Sequence, residues 1–201
     1  MYNIAIFASG GGSNAESIIK HFQDSSIAKV SLILSNKPEA FVLQRAKNHN
    51  LASVFVSPHQ LRDSEFIMPI LQQHKIDFIA LAGFLLLIPS YLIKAFPRRI
   101  VNIHPALLPK YGGKGMYGSR VHQAVFDNFE KESGPTIHYV DENYDEGQII
   151  FQKSAALEVT DTPDVIAKKV LAIEHAQYGQ VIESVLREMD RKRMQSDGAP
   201  S

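Results

Sequence analysis

The sequence predicts an α/β protein: a Rossmann-like, mostly parallel sheet flanked by helices, with a C-terminal antiparallel strand extension and a final long helix. Three observations carry this expectation. Apolar runs of strand length alternate with stretches of helical period along most of the chain. The runs are almost continuously apolar, as in strands buried on both faces. A glycine-rich turn, Ser9-Gly10-Gly11-Gly12-Ser13-Asn14, follows the first run, at the place where such sheets bind ligands.

The expected strands of the parallel part are Asn3–Ala8, Val30–Ser35, Ser53–Val56, Phe78–Ala82 and Ile100–Ile103. Helical patterns at about Asn14–Phe22, Ala40–His49, Ser64–His74 and Ser90–Phe96 lie between them. In the first of these, Ala15, Ile18, Ile19 and Phe22 recur at three- and four-residue steps and form one apolar face for the sheet. After Gly134 the pattern changes to two strands, Pro135–Val140 and Gln148–Ala155, separated by the polar turn Asp141–Gly147. They are expected to extend the sheet as a hairpin. Thr162-Pro163-Asp164 then supplies an N-cap, a proline at the first helical position and an acid in the first turn. The helix it opens is expected to run to about Met189, with Val170, Ile173, Val181, Val185 and Met189 facing inward.

At 201 residues the chain is of single-domain length. The expected organisation is one domain over residues 1–189 and a charged, fraying tail over 190–201. Lys plus Arg and Asp plus Glu both number 21, so the formal net charge is zero and no global field steers a polyanion to the surface. A nucleic-acid partner is therefore not expected. Cysteine is absent, which removes disulfides, thiolate nucleophiles and Cys-based zinc sites together. The N-terminal residues lack a basic segment and run directly into a strand pattern, and no apolar stretch approaches the roughly 20 residues of a membrane span. A soluble, cytoplasmic chain without a membrane partner is the expectation. Its oligomeric state is not encoded in any pattern.

Glycines in the first turn let the backbone approach a phosphate, and the helix N-terminus behind them favours an anion. Gly10-x-Gly12-x-x-Ala15 also matches the dinucleotide pattern. The acidic ribose ligand of that pattern is replaced by Ser35-Asn36-Lys37, where Lys37 suits a 2′-phosphate. No Gly-Lys-Ser or Gly-Lys-Thr follows, so a nucleoside-triphosphate loop is excluded. A second candidate is Asn102-Ile103-His104-Pro105 at the end of a buried strand, where two polar side chains two residues apart share one face. A histidine at a strand's C-terminal end suits acid–base work. His21, His49, His59, His74, His122 and His175 show no metal-ligand spacing and are read mostly as surface or helix-packing residues, while His138, alternating with Ile137 and Tyr139 on a strand, either faces the site or packs.

Taken together and in order, Ser9–Asn14, Leu81-Ala82-Gly83-Phe84, Asn102-Ile103-His104-Pro105, Ile137-His138-Tyr139-Val140 and Asp145-Glu146-Gly147 resemble the motifs of the folate-dependent formyltransferase family. The resemblance runs from Asn3 to about Val185. Gly12-Ser13-Asn14, Glu174-His175-Ala176 and the short chain narrow it to members that act on glycinamide ribonucleotide in purine synthesis.

The resemblance implies the formyltransferase fold. It also implies direct transfer of a formyl group from 10-formyltetrahydrofolate, the co-substrate, to the substrate amine through a tetrahedral intermediate, without a metal. It implies that Asn102, His104 and Asp145 are catalytic, that Gly12, Ser13 and Asn14 bind the ribonucleotide phosphate, and that Glu174 lies near the glycinamide. Leu85, Leu86, Leu87 and Ile88, with Asp141, Glu142, Asn143 and Tyr144, are implied walls of the folate pocket. Two departures stand out: Ala106 where many relatives carry serine, and Leu85-Leu86-Leu87-Ile88 without the frequent arginine. The glycine-rich segment Gly112–Gly118 is either a mobile lid or a surface loop.

Other readings stay open. A relative acting on a sugar nucleotide fits the length, as does a non-catalytic NADP- or nucleotide-binding module. Relatives acting on initiator tRNA or hydrolysing formyl-folate carry an additional domain, for which this chain has no expected room.

Overall fold

The computed structural model describes residues 1–197. Five parallel strands form the body of the sheet: β1 (Tyr2–Phe7), β2 (Ala28–Ser35), β3 (Ala52–Phe55), β4 (Phe78–Leu81) and β5 (Ile100–His104). Helices α1 (Ser13–Phe22), α2 (Phe41–Asn48), α3 (Pro58–Arg62), α4 (Ser64–Gln73) and α5 (Ser90–Ala95) connect them. Then come α6 (Ser119–Asp127), β6 (Glu132–Ser133), β7 (Thr136–Tyr139), β8 (Ile149–Gln152), β9 (Ala155–Ala156) and α7 (Pro163–Asp197).

The large sheet has the order β3-β2-β1-β4-β5-β7-β8, with β7 and β8 antiparallel to their neighbours. The chain winds outward from β1 to β3 and then crosses back to β4 on the other side of β1. The gap above the C-terminal ends of β1 and β4 is therefore a topological switch point, where α/β sheets open a crevice for ligands.

Residues of β1 divide the core by period two. Ile4, Ile6 and Ala8 pack with Ile18 and Phe22 of α1, Val42 of α2 and Val181 and Ile182 of α7. Ala5 and Phe7 face Leu61, Ile67, Leu71 and Leu92 on the opposite side. Both faces of β1 are covered, which is why it reads as a continuous apolar run, whereas the edge strand β3 is largely exposed.

Several elements differ from the sequence expectation. Two helices, α3 and α6, were not expected. The first is a single turn held by a Ser57/Gln60 capping box. The second buries only Val121, His122 and Val125, too few apolar positions to announce a helix. The last expected strand, Gln148–Ala155, is broken: β8 ends at Gln152, and β9 pairs with β6 in a separate two-stranded sheet. The final helix runs past Met189 to Asp197, with Lys192–Glu188 and Arg193–Asp190 pairs one turn apart. The remainder of the expected tail, 198–201, lies outside the described residues. Among the described residues no helix is long and apolar enough to cross a membrane.

Helix α7 buries a stripe at four-residue spacing, Ile166, Val170, Glu174, Tyr178, Ile182 and Leu186. Tyr178 is fully buried, and its hydroxyl donates to the Leu81 carbonyl (2.8 Å) and lies 3.2 Å from that of Val101. One phenol thus ties α7 to the ends of β4 and β5, and burial pushes its pKa well above the ordinary range. Tyr178→Phe is expected to cost about 1–3 kcal/mol of stability, because two buried carbonyls lose a donor. Urea unfolding of the variant against the parent checks this.

Candidate active site

A cleft of about 740 Å³ opens at the switch point. Its walls come from the turn after β1, the segment after β4, the end of β5, the loops at 113–118 and 143–145, and Glu174 of α7. The predicted residues of the first turn, the Asn102–Pro105 segment, Asp145 and Glu174 therefore meet in one space.

The centre is a cluster of four polar side chains. Asn102 and His104 lie on one face of β5, as the two-residue spacing requires. His104 is 4 % exposed; its Nε2–H donates to the Tyr111 carbonyl at 2.8 Å, and its Nδ1 lies 3.4 Å from Asp145 Oδ2. Burial pulls the imidazole below its ordinary pKa; the Asp145 carboxylate and the Tyr111 carbonyl oppose that shift without cancelling it.

Asp145 sits in the loop between β7 and β8 with φ of 59°, a left-handed conformation that non-glycine residues rarely adopt. Its Oδ2 accepts the Gly113 N–H at 3.0 Å, and its Oδ1 accepts from Asn102 Nδ2 at 3.3 Å and lies 3.5 Å from His138 Nε2. Burial alone would raise its pKa, but the contacts of His138, His104 and the Gly113 N–H hold it below the ordinary carboxylate range. Asp145 is thus an anion between two imidazoles.

For His138 the sequence allows both packing and the site. It stands directly opposite Asn102 in the β5–β7 register, 2 % exposed. Its Nδ1–H is donated to the Tyr139 carbonyl (2.9 Å), and its Nε2 lies 3.2 Å from Asn102 Nδ2 and faces Asp145 Oδ1. His122 of α6 also lines the cleft, buried, with no partner for Nδ1 among the described residues; burial lowers its pKa. By sequence alone it belongs with the surface and helix-packing histidines. Alternation along β7 was the one available sign for His138, and nothing in the sequence singled out His122.

In the first turn, Gly12 is the N-cap residue of α1 with φ of 71°. A Cβ there would fall 2.5 Å from Val42 Cγ2, so both conformation and space demand glycine. Asn14, in the first turn of α1, donates from Nδ2 to Glu174 Oε2 at 2.6 Å. Glu174 is 6 % exposed, and burial raises its pKa although the Asn14 bond pulls the other way. Ser13 lines the cleft beside them.

Leu85, Leu86, Leu87 and Ile88 form the wall after β4, with the Leu85 N–H held by Ser9 Oγ at 2.9 Å. On the opposite side Asn143 and Tyr144 line the cleft, but Asp141 and Glu142 do not. The Asp141 carboxylate instead caps its own turn, accepting the Asn143 N–H at 3.0 Å, and Glu142 is exposed. The segment 113–118 forms a wall of the cleft and contacts Asp145 through Gly113. Among the described residues no group of three or more His, Cys, Asp or Glu is placed to hold a metal ion.

A mostly parallel sheet with its switch-point cleft and an Asn–His–Asp cluster defines a class, and sequence comparison identifies it. The profile of the formyl transferase family matches residues 2–182, and the chain belongs to that family. The chain is 42 % identical over 204 aligned residues to the chloroplastic phosphoribosylglycinamide formyltransferase of Arabidopsis thaliana, covering 98 % of this chain and 69 % of that one. To the phosphoribosylglycinamide formyltransferase of Bacillus subtilis it is 36 % identical over 191 residues, covering 92 % and 95 %. The crystal structure of phosphoribosylglycinamide formyltransferase from Bacillus halodurans superposes with a TM-score of 0.82 at 35 % identity, covering 92 % of this chain and 95 % of that one.

Proposed function

We propose that this protein is a phosphoribosylglycinamide formyltransferase: it transfers the formyl group of 10-formyltetrahydrofolate to the amine of glycinamide ribonucleotide in purine synthesis. The observation that carries the reading is the buried Asn102–His104–Asp145 cluster facing a cleft that also holds the glycine turn and Glu174, in a chain matched nearly end to end by relatives of that name. The cytoplasm is the proposed compartment, and the two substrates are the proposed partners.

The chemistry follows from the residue types. The substrate amine attacks the formyl carbon, a C–N bond forms, and negative charge develops on the formyl oxygen. Preorganised donors stabilise such charge by about 3–4 kcal/mol each. His104 Nε2–H is one donor, with the oxyanion taking the place of the Tyr111 carbonyl. Asn102 is the second: its N–H contacts of 3.2 and 3.3 Å to His138 and Asp145 are long, and an oxyanion can take one over. The attacking amine must lose a proton and the departing folate nitrogen must gain one. His104, a water held by Asp145, or both in turn relay it.

The glycine turn and the N-terminus of α1 receive the substrate phosphate. Glu174 and Asn14 meet the glycinamide end, and Leu85–Ile88 with Asn143 and Tyr144 enclose the pterin side of the formyl donor. Lys37 lines the cleft near the turn, but the acidic ribose ligand of a dinucleotide site is missing, so the NADP reading has less support.

Incubation with 10-formyltetrahydrofolate and glycinamide ribonucleotide tests the reading. Deformylated folate is expected to appear only when the ribonucleotide is present; amine-independent or absent turnover would refute it. A sugar nucleotide amine in parallel addresses the other acceptor class.

A further inference from the structure

The glycine turn is gripped from outside the cleft by α2, a helix to which no part of the reaction is assigned. The backbone N–H of Val42 donates to the Gly10 carbonyl at 3.1 Å, and Arg45 Nε–H donates to the Gly11 carbonyl at 2.7 Å. The Gly12 carbonyl is taken by the Glu16 N–H of α1 at 2.9 Å. In a planar trans peptide the N–H points opposite to its C=O. Fixing three successive carbonyls onto α1 and α2 therefore turns the following N–H groups, those of Gly11, Gly12 and Ser13, the other way. All three residues line the cleft.

Two of the three grips are backbone contacts that any sequence can make; the third is a side chain. Arg45 is itself held on two further sides. Its Nη1 pairs with Glu16 Oε2 at 3.2 Å, and its guanidinium carbon lies 5.1 Å from the centre of the Phe41 ring. Glu16 is further paired with His49 (3.0 Å) and Lys20 (3.3 Å). These contacts outweigh the effect of burial and hold the Glu16 carboxyl below its ordinary range. An acid in the first turn of α1, next to a bound phosphate, would repel it. The same arginine that orients the Gly11 peptide also neutralises that acid.

We propose that Arg45 is the positioning residue of the phosphate-binding turn: it sets the Gly11–Gly12 peptide with its N–H toward the substrate phosphate and screens Glu16 from it, touching no substrate itself. The inference rests on the reading of Ser9–Asn14 as the phosphate site. A lysine at this position keeps the charge but lacks the planar fork that serves Gly11 and Glu16 together.

The test compares glycinamide ribonucleotide with the riboside that lacks its phosphate, in the parent, Arg45→Ala and Arg45→Lys. In the parent, kcat/KM is expected to favour the ribonucleotide strongly; equal use of both acceptors would overturn the phosphate-site reading and this proposal with it. Given that preference, Arg45→Ala is expected to raise KM for the ribonucleotide roughly 10- to 100-fold, with kcat and the KM of the formyl donor little changed. The riboside should lose almost nothing, and Arg45→Lys should fall between. Losses equal for ribonucleotide and riboside, or confined to kcat, would reduce Arg45 to a scaffold residue and overturn the proposal while leaving the phosphate site intact. If the alanine variant fails to fold, the same two-substrate split in the lysine variant decides.

Discussion

His104→Ala lowers turnover by about 10³-fold, within the range for losing a positioned acid–base group, and leaves the fold in place. The expectation follows from where the ring sits. It is the side chain at the end of β5 whose two nitrogens face a carbonyl and a carboxylate, so it is placed both to donate a hydrogen bond and to hold a proton. Substrate binding elsewhere in the cleft is untouched, so the loss falls on kcat rather than on either KM. His104→Asn, which fills more of the same buried space, separates a catalytic loss from a packing one. Initial rates with both substrates, beside a thermal melt, check the result. Rates near the parent's in folded His104→Ala would remove His104 from the mechanism.

Asp145→Asn is the second large effect. The substitution keeps the shape of the side chain and an acceptor for the Gly113 N–H, but removes the charge between His104 and His138. Turnover is expected to fall about 10²-fold or more, a loss of charge stabilisation of the size seen for single electrostatic groups. The pH profile is the sharper measurement. Burial lowers the His104 pKa and Asp145 is the largest influence opposing it, so without the carboxylate the imidazolium loses its proton at lower pH. If protonated His104 is the donor, activity declines as pH rises through that pKa, and the alkaline limb of kcat therefore moves toward acid in Asp145→Asn. A limb that stays in place, or moves toward alkali, would refute the coupling.

A stability consequence has its own sign. The Asp145 pKa is depressed in the folded state, so its contribution is fully present above the unfolded value of about 3.9 and is lost as pH falls through the lower folded value. The stability gap between parent and Asp145→Asn should accordingly close in acid, readable from urea midpoints at neutral pH and near pH 3.

Much of this site could be read from residue order because its parts lie at strand ends. Gly12 and Asn14 follow β1, and Asn102 and His104 share a face of β5; both facts depend on neighbours within a few residues. His138 was not readable in that way. It meets Asn102 only because β7 runs antiparallel to β5 in one particular register, and a shift of one residue would turn it to the other face. Asp145 was identified by resemblance, and its reach depends on a left-handed backbone and the Gly113 N–H thirty-two residues away. Glu174 lies in the buried stripe of α7 between Val170 and Tyr178, where a charged residue breaks the apolar period that sequence reasoning follows.

Local physics, which is periodicity, capping and the conformational freedom of glycine, was enough to establish the α/β class, the order of the parallel strands' segments, the helix opened by Thr162-Pro163-Asp164 and the glycine turn between β1 and α1. Nothing local fixed the cut of the last strand at Gln152, the existence of α6, the withdrawal of Asp141 and Glu142 from the cleft, or the grip of Arg45 on Gly11. Each of these depends on a partner far along the chain or on competition within a turn: β6 for β9, α7 for α6, the Asn143 N–H for Asp141, and a carbonyl thirty-four residues away for Arg45. Short-range propensities carry no information about such pairings until the sheet has closed and brought them within a few ångströms.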